Sequence, residues 1–289
     1  MRRNILALGL TVPWLSACSP SGILAALTRF GGETRLGVSY GTHERHKLDI
    51  YRAQGDQASQ AGAPTVLFFY GGSWNSGERG NYAFVGKALA ARGITTLIAD
   101  YRLYPEVRFP DFLNDCALAA AWTLREVARL GGDPKRVFVM GHSAGAYNAA
   151  MLALDARWLR KQGVDPSQWA GWIGMAGPYE FLPITNPEAQ PVFFHPNYPP
   201  LTQPIEMVSA SAPRTLLLSA RTDVLVNPIR NSAALAERLR RANVAVEHSS
   251  FDRVNHQTLI GALASPLSWL APVAESVERF VGVSESVRS

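Results

Sequence analysis

Cysteine is almost missing: Cys18 and Cys116 are the only two in 289 residues. No disulfide framework can therefore hold this chain together, and its stability has to come from a hydrophobic core. Charge is sparse as well. Charged residues make up 18% against 47% hydrophobic, a globular balance and not that of a disordered chain. The formal charge of +5 has no organised form. The densest basic cluster, Arg238-Leu239-Arg240-Arg241, falls at the end of a predicted helix, where cations suit the helix dipole. No basic stripe is interleaved with aromatics, which argues against a nucleic-acid partner. Neither His-Glu-x-x-His, nor paired cysteines, nor Gly-x-Gly-x-x-Gly occurs, so no metal and no organic cofactor is expected. No internal repeat is evident either.

Long apolar runs are short of what a bilayer needs. Met1-Arg2-Arg3-Asn4 is positive, and the apolar stretch from Ile5 to Leu15 is broken by Pro13. That is too short to span a membrane and reads as a secretory signal. It ends in Leu15-Ser16-Ala17-Cys18, which resembles the lipobox of bacterial lipoproteins. The resemblance implies a signal peptide over 1–17, lipidation at Cys18 and attachment to a membrane through the lipid. The alternatives are an ordinary cleaved signal, such as one cut after Ala17, or an uncleaved apolar tail. Ser19 in place of Asp after the cysteine implies the outer membrane, facing the periplasm, if the source is Gram-negative. Residues 18–33 read as a tether with Ile23, Leu24, Leu27 and Phe30 at helical spacing, lying on the membrane or on the protein body.

From residue 34 to 289 the pattern is that of one domain. Expected strands are Arg35–Tyr40, His46–Arg52, Thr65–Tyr70, Ile94–Ala99, Arg136–Met140, Trp172–Ala176, Arg214–Ala220 and Val244–Phe251. The first two alternate, as an antiparallel pair would. Several later ones are continuous apolar runs such as Val66-Leu67-Phe68-Phe69, expected of strands buried on both faces. Helical patterns intervene at Tyr82–Arg92, Pro110–Leu130, Ala144–Asp155, Ser232–Asn243 and Pro272–Val281. The alternation predicts an α/β fold: a mostly parallel eight-stranded sheet with helices on both faces.

In such sheets reactive groups gather at the carboxyl ends of strands. Gly141-His142-Ser143-Ala144-Gly145 follows an apolar strand and opens a small-residue helix, the context that a strained nucleophilic serine requires. Ser143 needs a base, and the base an orienting acid. His195, His248 and His256 are the histidines beyond it. His195 precedes the strand at 214, and His248 lies within a strand. His256 stands in the loop after the last strand, where a mobile base belongs. Asp223, just after the strand ending at Ala220, is the expected acid, with Asp252 as the alternative. Tyr70-Gly71-Gly72-Ser73-Trp74 follows another strand, and the amides of Gly72, Ser73 and Ala144 are the expected oxyanion hole. A short insertion before residue 214 carries Phe181, Phe193, Phe194, His195 and Tyr198 among prolines. Phe193 and Phe194, with Trp74, are expected either to line an aromatic substrate pocket or to pack the insertion onto the body.

Three motifs stand in order: Tyr70-Gly71-Gly72-Ser73-Trp74, Asp100-Tyr101-Arg102-Leu103-Tyr104-Pro105-Glu106 and Gly141-His142-Ser143-Ala144-Gly145. Together they resemble the α/β-hydrolase esterases of the hormone-sensitive-lipase and bacterial carboxylesterase group. Kynurenine formamidases and feruloyl or acetyl esterases carry similar motifs. Three departures are visible. Tyr70 replaces the usual histidine, Ser73 often a third glycine, and Ser219-Ala220-Arg221-Thr222-Asp223 lacks the His-Gly often found before the acid. The resemblance implies a serine esterase with catalytic Ser143, Asp223 and His256, and a bracing role for the Asp100–Pro105 motif. The short insertion favours short-acyl or aryl esters. An arylformamidase is the competing activity, and a non-catalytic surface lipoprotein on a hydrolase fold is the competing class.

Overall fold

The computed structural model describes residues 20–54 and 62–282. Cys18 and the signal-like segment before it lie outside the described residues. Eight strands form one sheet: β1 (Thr34–Ser39), β2 (Lys47–Tyr51), β3 (Ala63–Phe69), β4 (Thr95–Ala99), β5 (Gly132–His142), β6 (Gly171–Met175), β7 (Thr215–Ala220) and β8 (Val246–Phe251). Their order is β1-β2-β4-β3-β5-β6-β7-β8. The β1–β2 and β2–β4 pairings are antiparallel, and all others are parallel. The apolar runs behave as their composition dictates. Every residue of β3, β4, β6 and β7 is buried, because helices cover both faces, whereas the edge strands β1 and β8 are half-buried or exposed.

The helices among the described residues are α1 (Pro20–Leu27), α2 (Ala83–Ala90), α3 (Asp111–Glu126), α4 (Ala144–Leu154), α5 (Arg157–Lys161), α6 (Ala234–Arg241), α7 (His256–Gly261) and α8 (Val273–Val281). α6 and α8 are amphipathic: Leu235, Ala236 and Leu239 in one, Val273, Val277 and Phe280 in the other, face the sheet. All eleven residues of α4 are buried. Its alanines and glycine let it lie close to the sheet. Cys116 is buried on α3 as a small core residue.

Where expectation and structure differ, the causes are local. The predicted helix 110–130 stops at Glu126. Its tail tightens into turns before Gly131, whose φ of 79° ends it. A π-turn over Ile229–Ala233 precedes α6. The stretch expected as a tether holds α1, which sits on the protein body: Leu24 and Ala25 are buried, and Lys87 Nζ donates to the Ala25 carbonyl at 2.7 Å. Ile23 and Leu27 remain exposed.

The register decides what meets at the carboxyl edge. Phe69 of β3 pairs with Gly141 of β5, so the Gly71–Trp74 loop and the Ser143 turn leave the sheet side by side. Ala220 of β7 pairs with Phe251 of β8, which brings the segments holding Asp223 and His256 together in the same way.

Candidate active site

Ser143 occupies φ 54°, ψ −123°, a region that side chains avoid. Holding it there costs about 1–3 kcal/mol, offset by the surrounding structure. Its amide donates to the Met175 carbonyl at 2.9 Å, and its own carbonyl accepts from Ala146 and Tyr147 at the start of α4. The turn needs glycine at 145, where a Cβ would lie 2.0 Å from the Phe69 carbonyl oxygen, and at 141, where one would lie 2.1 Å from the Gly145 carbonyl oxygen.

The Ser143 hydroxyl donates to His256 Nε2 at 2.8 Å, and His256 Nδ1–H donates to Asp223 Oδ2 at 2.7 Å. The Asp223 contact fixes the tautomer, leaving the Nε2 lone pair for the serine proton. Burial pushes the Asp223 carboxyl up, but its hydrogen bond to His256, the His256 charge and the amides of Val226 and Leu225 outweigh that, and the net shift is downward. Its second oxygen accepts from those two amides, each at 2.9 Å, so the acid is held as an ionised acceptor. The alternative acid, Asp252, is instead in an exposed ion pair with Arg221. His248 sits on β8 as a half-buried strand residue. His195 bonds Tyr198 Oη in the insertion.

His256 is not in a mobile loop, as its sequence context suggested. It is the first residue of α7, and Asn255 caps that helix by accepting from Gln257 and Thr258 while Thr258 Oγ1 accepts from the Asn255 amide. The Asn255-x-x-Thr258 spacing carried this signal. Reasoning from sequence also missed His142. Its Nε2–H donates to the His256 carbonyl at 2.8 Å, and the two rings lie 4.9 Å apart. Burial and then the neighbouring His256 push the His142 pKa down to about 3.

Gly72 and Ser73 follow β3 and Ala144 follows β5, two strands paired side by side in the sheet. Gly72 has φ 124°, and a Cβ there would lie 2.3 Å from the Ser76 carbonyl oxygen, so the loop needs glycine at this point. Ser73 and Trp74 follow with φ 48° and 58°. Ser73 therefore adopts the left-handed backbone that a third glycine would take without strain, and Asn186 Nδ2 donates to its hydroxyl at 3.2 Å. No local sequence signal links Asn186 to that loop.

The aromatic expectation divides. Phe193 is 0% exposed: it packs edge-on to Trp74 at 4.8 Å and against Phe109 and Phe112. It does not line an open pocket, because its ring seals the insertion onto the body. Trp74 is likewise buried, its indole N–H donating to Asn148 Oδ1 at 2.9 Å. Phe194 alone of the three is exposed, with the Arg108 guanidinium 5.2 Å from its ring.

Comparison with known proteins agrees with this geometry. The chain is 32% identical over 162 residues to the probable isoprenylcysteine alpha-carbonyl methylesterase ICMEL1 of Oryza sativa subsp. japonica, covering 54% of this chain and 37% of that one. It is 31% identical over 251 residues to esterase LipC of Mycobacterium tuberculosis, covering 80% and 61%. The chain thus spans about three-fifths or less of these relatives' length. The solved structure of the thermophilic esterase Est2 of Thermogutta terrifontis superposes with a TM-score of 0.71 at 20% identity, covering 90% of this chain and 95% of that one. The architecture is the α/β-hydrolase fold. The model of the BD-FAE family matches residues 48–239, from β2 through most of α6, and the chain belongs to that family.

Proposed function

We propose that this protein is a serine hydrolase that cleaves carboxylic esters through an acyl-enzyme. The observation that carries the reading is the unbroken relay from Ser143 Oγ to His256 at 2.8 Å and from His256 to Asp223 at 2.7 Å. Ser143 attacks the ester carbonyl, and His256 takes its proton and returns it to the departing alkoxide. Asp223 holds the imidazole in the required tautomer and stabilises its protonated form. The amides of Gly72, Ser73 and Ala144 receive the negative charge of the tetrahedral intermediate, being fixed before that charge develops. Water then repeats the sequence on the acyl-enzyme.

Short-acyl or aryl esters are the proposed substrates. The insertion over residues 177–213 is short and packs onto the body through buried Phe193, and so small a cap supports the short-acyl reading. Relatives named as esterases and as a methylesterase support the ester reading. The lipobox-like Leu15–Cys18 supports placing the enzyme in the cell envelope, anchored through acylated Cys18 and facing the periplasm of a Gram-negative source. Turnover of p-nitrophenyl acetate, butyrate and decanoate, beside N-formylkynurenine, tests the chemistry with wild type and Ser143→Ala. Acetate and butyrate are expected to be cleaved fastest, and the variant is expected to be inactive. Faster decanoate turnover contradicts the short-acyl class, and preference for the formyl amide contradicts the ester class.

A further inference from the structure

The loop that carries Gly72 and Ser73 leaves the sheet at Tyr70 and returns at Gly77–Arg79. Two buried or half-buried charged residues grip both of these stems. Asp100 Oδ1 accepts from the Tyr70 hydroxyl at 2.7 Å on one stem and from the Arg79 amide at 2.8 Å on the other. Its Oδ2 takes the Arg79 guanidinium, which also donates to Asp49 at 2.8 Å. Arg45 Nη2 donates to the Tyr70 hydroxyl at 2.8 Å and to the Gly77 carbonyl at 2.9 Å. The Tyr70 hydroxyl is therefore the one atom that both clamping side chains share. The ring is fixed as well, stacked on Tyr101 at 5.1 Å and Tyr82 at 5.4 Å, while Tyr101 Oη donates to the Tyr70 carbonyl at 2.9 Å.

We infer that Tyr70, standing where related esterases usually have histidine, is a positioning residue whose hydroxyl closes the Asp100–Arg45 clamp and sets the amides of Gly72 and Ser73 at the oxyanion site. This rests on the ester-hydrolase reading above. Burial, reinforced by the Asp100 charge, pushes the phenol well above its ordinary pKa, so it stays a neutral donor to the carboxylate. An oxyanion donor acts only on the transition state, so its displacement lowers kcat while leaving substrate binding nearly unchanged.

Tyr70→Phe keeps both ring stacks and removes only the shared atom. With p-nitrophenyl acetate its kcat is expected to fall by roughly tenfold to a hundredfold, the scale of a misplaced or lost oxyanion donor, with KM within about twofold. Amide hydrogen exchange followed by mass spectrometry should quicken in peptides covering residues 70–79 and not in the sheet. The inference is overturned if Tyr70→Phe matches wild type in kcat and in loop exchange. It is equally overturned if exchange quickens throughout the sheet, since the role would then be general stability. An inactive wild type would sink the ester reading by itself, while exchange in residues 70–79 would still decide the clamp.

Discussion

Replacing His142 by glutamine removes one buried titration from the protein. The His142 imidazole, buried against the His256 carbonyl, resists protonation until about pH 3, against an ordinary value of 6.5. In the unfolded chain it takes up a proton as pH falls through that ordinary value. Its contribution is thus fully present above about pH 6.5 and is lost progressively as pH falls toward about 3, since only the unfolded state gains the proton. At pH 5 the gap between the states is about 1.5 pH units of unshared protonation, or about 2 kcal/mol. Glutamine cannot titrate, yet its side-chain N–H can still donate to the His256 carbonyl. Urea unfolding of wild type and His142→Gln at pH 7 and pH 5 gives the comparison. Wild type is expected to lose about 2 kcal/mol more than the variant between the two pH values. Titrating groups remote from His142, such as the half-buried His248, affect both proteins alike, so they cancel. Equal losses in the two proteins would refute the argument and mean that His142 is protonated in the folded state.

Three further changes test the scaffold around the serine. Asn255→Ala removes the acceptor for Gln257 and Thr258 at the start of α7. Its thermal midpoint should fall by an amount matching about 1 kcal/mol, with a loss of kcat because His256 begins that helix. Gly145→Ala places a methyl 2.0 Å from a backbone oxygen that no side-chain rotation can move. Denaturant melts should show a loss of about 1–3 kcal/mol or more, with activity lost as α4 shifts away from β3. Asn148→Leu leaves the buried Trp74 indole N–H without its acceptor at 2.9 Å, a change expected to cost about 1–3 kcal/mol in the same melts. Wild-type stability in the last variant would mean that the Trp74–Asn148 bond adds nothing to the insertion's seal.

Much of the fold was legible because parallel strands buried on both faces must be apolar throughout, and runs such as Val66–Phe69 have no other comfortable place. The serine turn, the acid after β7 and the histidine after β8 could be read for a related reason. Each directly follows a strand, so the sheet's register brings them together without any long-range guess. The fate of Phe193 was not legible, because whether an aromatic faces substrate or core depends on partners from distant segments: Trp74, Phe109 and Phe112. The bracing role of the Asp100 motif was implied, but its partners in the Tyr70 clamp were hidden for the same reason. Its members come from positions 45, 70, 79 and 100, and nothing in the spacing announces that one carboxylate spans both stems. By contrast, the cap that places His256 on a helix was present in Asn255-x-x-Thr258 and outweighs the impression of an open loop.

Labelling with a fluorophosphonate and weighing the intact protein reports whether Ser143 is an activated nucleophile. One adduct per chain is expected, mapped by peptide sequencing to Ser143, and none in Ser143→Ala or His256→Ala. No adduct on the folded wild-type protein, or an adduct on a different serine, would contradict it.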